Sequence, residues 1–199
     1  HLVPEEYVFF DGNRKAGKVW KAFEEEHKDS GKIILSAPQK AKVESWVDAY
    51  KKRPEAVDLV KGADKEFSLF AEMLGVPLKV RADIINIDKG YIADVKTTAS
   101  DPDLDTFKFT VEQYGYDLSA ALYTDLFSRR YEKPFDFYFI VLGKRTMTCE
   151  VYKVSDLTLG KGRKKVMDAV KIYKGCMESG KWDNEKEIKP ITDYEILEV

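Results

Sequence analysis

The sequence predicts an α/β (α+β) domain with a mixed central β-sheet flanked by helices. Three observations carry that expectation. Apolar residues recur at helical spacing before residue 53 and again after residue 105. From 65 to 97 the period changes to strand-like alternation. Two further apolar strand patterns, FDFYFIVLG and TMTCEVYKV, lie between the last two helical segments.

Val19, Trp20 and Phe23 mark a first helix from Gly17 to about Glu26, ended by Asp29-Ser30-Gly31. A second helix runs from about Pro38 to Arg53 with Val43, Trp46, Val47 and Tyr50 on one stripe. Pro54, which has no N–H to give, stops it. KEFSLFAEM (65–73) and PLKVRADIINI (77–87) are strands, the second with Leu78, Val80, Ala82 and Ile84 on one face. Asp88-Lys89-Gly90 is a hairpin turn, with glycine where a positive φ is needed, and YIADVKT (91–97) returns. A polar loop, TASDPDLD, precedes a long helix from about Thr106 to Tyr131, with Tyr116, Ala120, Tyr123 and Phe127 on one face. After the last two strands, a final helix runs from about Asp156 to Gly180. The expected order is α-α-β-β-β-α-β-β-α. Length suits one domain over residues 1–199, with a helical N-terminal part to about residue 60 and a core over about 61–199.

Composition excludes several classes of function. Basic and acidic residues number 33 and 35, a net charge of −2, so any polyanion site must be a local patch or must use metal ions. Two distant cysteines, Cys149 and Cys176, cannot by themselves hold an iron–sulfur cluster or zinc. A reducing cytoplasm is the expected setting. The longest apolar run, FYFIVLG, is far too short to cross a bilayer, so no membrane association is expected. The chain opens HLVPEEY without a Met or a signal peptide, and its N-terminus is expected to be processed or trimmed.

The hairpin RADIINIDKGYIADVKTT (81–98) holds the chemistry. Alternation puts Asp94 and Lys96 on one face of a strand, and pairing about the turn sets Asp83 opposite residue 94 or 95. Two carboxylates beside an ammonium suit a hard cation and a phosphate. Oxygen ligands hold Mg²⁺ or Mn²⁺, a metal can activate water for phosphodiester cleavage, and lysine can stabilise the charge that develops. The Val95 carbonyl is a further ligand candidate. A D-x-K triplet alone is a weak signal in a chain this rich in both residues, and a solvated Asp–Lys pair is the common alternative. The context strengthens it: both aspartates sit in runs that otherwise read as buried, where an unpaired charge is costly.

The hairpin DVKTT (94–98) with Asp83 eleven positions before Asp94, followed by a long helix, resembles the PD-(D/E)XK nuclease superfamily, and within it the RecE-type phage and prophage exonucleases. The likeness covers most of the chain. It includes EFSLF from Glu66, GVPLKVRAD to Asp83, YDLSAALY from Tyr116 to Tyr123, Tyr173 with Trp182, and the opening HLVPEEY. It implies a PD-(D/E)XK restriction-endonuclease-like core and a Mg²⁺- or Mn²⁺-dependent exonuclease with two ions. Such an enzyme degrades linear duplex DNA processively, 5′ to 3′, leaving 3′ single-stranded tails for recombination. Asp83 and Asp94 would be metal ligands, Lys96 the catalytic lysine, and His1 a further metal-site residue. Glu66 would be a ligand or a supporting carboxylate; a solvated strand residue is the alternative. The family's Q-A-A-x-Y pattern reads SAALY here, with Ser119 in place of Gln, so either Ser119 takes a lesser part in substrate positioning or Gln113 or Tyr116 substitutes for it. The implied partners are double-stranded DNA ends, a single-strand annealing recombinase and further copies of the chain in a ring. The cluster KGRKK (161–165) is either a phosphate contact or a solvated helix face. A structure-specific endonuclease or repair nuclease module and an inactive DNA-binding module are the competing readings.

Overall fold

The structure is a computed structural model and describes residues 6–182. A short parallel pair, β1 (Tyr7–Phe10) and β2 (Ile33–Ser36), is joined through α1 (Gly17–His27). Then come α2 (Ala37–Lys51), α3 (Pro54–Val60), β3 (Asp64–Met73), β4 (Val76–Asn86) and β5 (Tyr91–Thr98). α4 (Leu104–Tyr114), α5 (Tyr116–Tyr131), β6 (Asp136–Gly143), β7 (Cys149–Lys153) and α6 (Asp156–Ser179) complete the order. The main sheet is β3-β4-β5-β6-β7, antiparallel except for the parallel β5–β6 pair. That parallel pair requires a crossover, which α4 and α5 supply.

The sheet is covered on both faces, and β6 shows why its sequence is so continuously apolar. Phe137, Phe139 and Val141 pack under α4, α5 and α6 with Phe107, Phe127 and Val166. Tyr138, Ile140 and Leu142, the alternate set, pack with Ala49 of α2 and Ala56 of α3. A strand buried on both faces loses the polar half of its alternation.

Four features differ from expectation. β1 and β2 are four-residue apolar runs, too short for period to separate strand from helix. The first sixty residues are therefore not helical throughout. α3 follows Pro54, which both ends α2 and opens the next helix at N1, where its missing N–H costs nothing. The expected helix over 106–131 is two helices, because Gly115 adopts φ +65° at the C-terminus of α4. The other turns behave as the sequence indicates. Gly90 has φ +70°, its N–H bonds to the Asn86 carbonyl at 2.9 Å, and an added Cβ would meet the Pro134 carbonyl oxygen at 2.8 Å.

α5 and α6 meet at Gly162. A Cβ there would lie 2.0 Å from the Asp117 carbonyl oxygen, so the two helices approach only because this side chain is absent. Gly162→Ala is expected to destabilise the protein by about 1–3 kcal/mol, the usual cost of overpacking. The midpoint of urea unfolding checks this; an unchanged midpoint would show that the seam yields freely.

Candidate metal and active site

β3, β4 and β5 set three carboxylates in one row across the sheet. Lys65 pairs with Ile84 and Phe67 with Ala82, so Glu66 lies across from Asp83. The β4–β5 ladder ends at Ile84 opposite Ala93, so the next opposed positions are Asp83 and Asp94. β5 continues to Thr98 in register with β6 alone. Asp83 lies one step beyond the last pair of the ladder, and its Oδ2 accepts a hydrogen bond from the Val95 N–H at 2.9 Å.

The chain changes face at this row. Ala82 packs beneath α5 and α6, whereas Ile84 packs with α2 and α3. A regular strand would put residues 82 and 84 on the same side. On the neighbouring strand Glu66 has φ +54°, a left-handed conformation that is rare outside glycine, and its position is missing from an otherwise continuous ladder. The disruption spares β3 and β4 a regular pairing at the one place where two carboxylates oppose each other.

Asp94 and Lys96 share the α5 side of β5. The Lys96 ammonium is ion-paired with Asp94 Oδ2 and lies 4.8 Å from the centre of the Tyr116 ring. Asp94 Oδ2 is buried, with the Lys96 ammonium as the charge set against it. Burial holds the Asp94 carboxyl above its ordinary pKa; Lys96 opposes the rise, and the Asp83 charge adds a small further push. Desolvation, rather than repulsion between the two aspartates, is the main cause of the rise.

Glu66 is drawn elsewhere: its Oε2 lies 2.5 Å from an Arg81 nitrogen, with both side chains more than half exposed. Among the described residues no group of three or more His, Cys, Asp or Glu is close enough to hold a metal. Two carboxylates still fit Mg²⁺, which keeps several waters and is commonly bound by one or two carboxylates together with substrate phosphates. Asp94 Oδ2 is a buried carboxylate oxygen, the hard donor that such a cation takes. His1 lies outside the described residues.

Of the three positioning candidates, Tyr116 lies against Lys96. Gln113 is exposed at the end of α4, and Ser119 is half-buried on α5. In the KGRKK cluster three cations have carboxylate partners on neighbouring helices. Lys165 is 2.7 Å from the buried Asp117, Arg163 Nε bonds both oxygens of Asp125 at 3.0 and 3.1 Å, and Lys161 stands 3.7 Å from Glu112. These pairs line the seam between α6 and the two helices before it, and all four cations of the run keep an exposed side chain. Sequence reasoning missed Tyr114, whose ring stacks on Tyr116. The signal was present: a glycine inside a helical pattern marks a cap. Arg81 and Asp117 were missed as well, since only the fold brings them to Glu66 and Lys165.

No curated protein sequence matches this chain. Among solved structures it resembles a candidate exonuclease of Eubacterium rectale, with TM-score 0.62 and 19% identity over 82% of this chain. This chain spans 63% of that protein's length, and at that identity the likeness concerns the fold alone. The structure of SSO0001 is similar at TM-score 0.36 and 16% identity, over 65% of this chain and 68% of that one, too little to argue from. No helix among the described residues is long and apolar enough to cross a membrane. Residues 6–188, which include the whole β3–β4–β5 meander and the helices that flank the sheet, match the family described as a PDDEXK-like domain of unknown function (DUF3799), and the chain belongs to that family.

Proposed function

We propose that this chain is a metal-dependent deoxyribonuclease that hydrolyses phosphodiester bonds, acting as a 5′-to-3′ exonuclease on linear duplex DNA. The observation that carries the reading is the nearness of Asp83 and Asp94 just past the last β4–β5 pair, with Asp83 bonded to the Val95 N–H and Lys96 ion-paired to Asp94. Membership of a PDDEXK-like family supports a nuclease, and the exonuclease resemblance of the sequence supports the finer activity.

In this reading Asp83, Asp94 and the Val95 carbonyl hold Mg²⁺ or Mn²⁺. Glu66 and His1 are the remaining ligand candidates for a second ion. When bound, the ion would activate water and neutralise charge on the phosphate. Lys96 supplies a positive charge at the phosphate or orients the water, and Tyr116 steadies its ammonium through the ring face. Gln113 and Ser119 stand as further positioning residues on α4 and α5. The single-domain organisation over 1–199, processive action from DNA ends, a ring of copies around the duplex and a single-strand annealing partner in the cytoplasm belong to the same proposal.

Digestion of linear and covalently closed duplex DNA, with Mg²⁺ or with chelator, tests it. Loss of the linear form alone, in Mg²⁺, is the expected result. A linear duplex labelled at one 5′ end is expected to release the label first. Nicking of the circle would mean a structure-specific endonuclease. Binding without any cleavage would mean an inactive DNA-binding module.

A further inference from the structure

Tyr114 and Tyr116 are two apart in sequence, and on a continuous helix their side chains would point to nearly opposite sides. Here they stack, with ring centres 5.8 Å apart and planes inclined by 24°. Gly115 makes this possible. Its φ of +65° ends α4 after Tyr114 and starts α5 at Tyr116, turning one ring onto the other. Tyr116 is anchored on its inner side by Phe139 and Phe107, at 6.0 and 6.5 Å. Tyr114 remains 64% exposed. An aromatic ring is thus held in a set orientation but left open to solvent, supported by a residue that itself touches Lys96.

We propose that the exposed ring of Tyr114, stacked on Tyr116 across the left-handed Gly115, is a platform for an unpaired nucleobase of the strand that enters the Asp83–Asp94 site. The proposal rests on the nuclease reading for the identity of the ligand. Two contact steps, 5.8 Å from Tyr114 to Tyr116 and 4.8 Å from Tyr116 to Lys96, join the platform to the charge assigned to the phosphate. A few nucleotides of one strand cover such a span at roughly 3.4 Å each. Every base has a π-face, so stacking accepts any sequence, as a non-specific exonuclease needs. A base in the duplex already stacks on its neighbours. The platform therefore favours a strand that has left its complement, and it would hold the end open next to the carboxylates.

The test uses the full chain carrying Asp94→Asn, so that DNA is bound without being consumed. The probe is a duplex with a short single-stranded tail carrying 2-aminopurine, a fluorescent base that darkens when it stacks, at successive tail positions in separate oligonucleotides. Darkening is expected at one or two adjacent positions. It should persist with Tyr114→Phe, which keeps the ring, and be lost with Tyr114→Ala, together with about tenfold weaker binding to the tail. Phe109→Ala is the matched comparison: Phe109 is 67% exposed on the same helix but belongs to no such stack, and it should leave the signal unchanged. Equal darkening with Tyr114→Ala, or equal loss with Phe109→Ala, would overturn the platform. Absence of binding and of darkening in the parent protein would overturn it too. Cleavage by the chain with native Asp94 is measured separately. A failed platform with intact cleavage leaves the nuclease reading standing, and darkening without any cleavage leaves the platform standing as part of a nucleic-acid-binding module.

Discussion

Asp94→Asn is expected to slow hydrolysis of linear duplex DNA by at least about 10³-fold while the protein stays folded. The substitution keeps the size of the side chain and removes one anionic ligand. Loss of a metal's charge stabilisation forfeits several kcal/mol at the transition state, and each 1.36 kcal/mol is tenfold in rate. The fold should tolerate the change well. The native structure already disfavours the ionised form of Asp94, mainly through burial, so a neutral side chain at this position removes a desolvation cost. Lys96 loses its ion-pair partner but keeps the Tyr116 ring. Hydrolysis rates on an end-labelled linear duplex, alongside a circular dichroism melt, decide the matter. A folded variant that cleaves at the wild-type rate would remove Asp94 from the chemistry.

Lys96→Ala is expected to lower the cleavage rate by about 10²–10³-fold, the usual cost of deleting one donor that stabilises developing charge. Metal affinity should change little, because the ammonium is assigned to the phosphate or the water rather than to the ion. Titration calorimetry with Mn²⁺ separates these effects. Normal Mn²⁺ binding with slow cleavage supports the assignment. Abolished Mn²⁺ binding would mean that Lys96 chiefly organises the Asp94 carboxylate, to which it is ion-paired. Tyr116 gives a second handle on the same charge, since a Phe in its place retains the ring face and should leave Lys96 in place.

The meander was legible because three signals agreed there: alternation on each strand, a glycine at the turn, and charged residues inside apolar runs. The turn at Gly90 and the approach of Asp83 to the Asp94–Val95 segment follow from those signals almost directly. The alternation alone does not choose between residues 94 and 95 as the partner of Asp83. The choice depends on how β4 turns over at Asp83, and that is set by which core Ala82 and Ile84 enter. Glu66 could be read as a carboxylate on the next strand, but not as one held by Arg81, because Arg81 looks like any exposed charge on an alternating strand. The KGRKK run illustrates the same limit. Its partners Glu112, Asp117 and Asp125 lie 38 to 49 positions earlier, so a local reading sees only unpaired charge. β1 and β2 were illegible for a different reason: four apolar residues carry no measurable period, and each strand is stabilised by the other across α1.

Thermal melting of the native protein and of the Asp83→Asn/Asp94→Asn double variant, each over a range of Mn²⁺ concentrations, tests the central claim most directly. A cation held only by the folded state stabilises it by about 2.7 kcal/mol at a hundredfold excess over Kd, or roughly 5–10 °C for a chain of this length. The native protein should show that rise and the double variant almost none. Equal rises in both proteins would place the ion elsewhere and reduce Asp83, Asp94 and Lys96 to a partly buried ion-pair cluster.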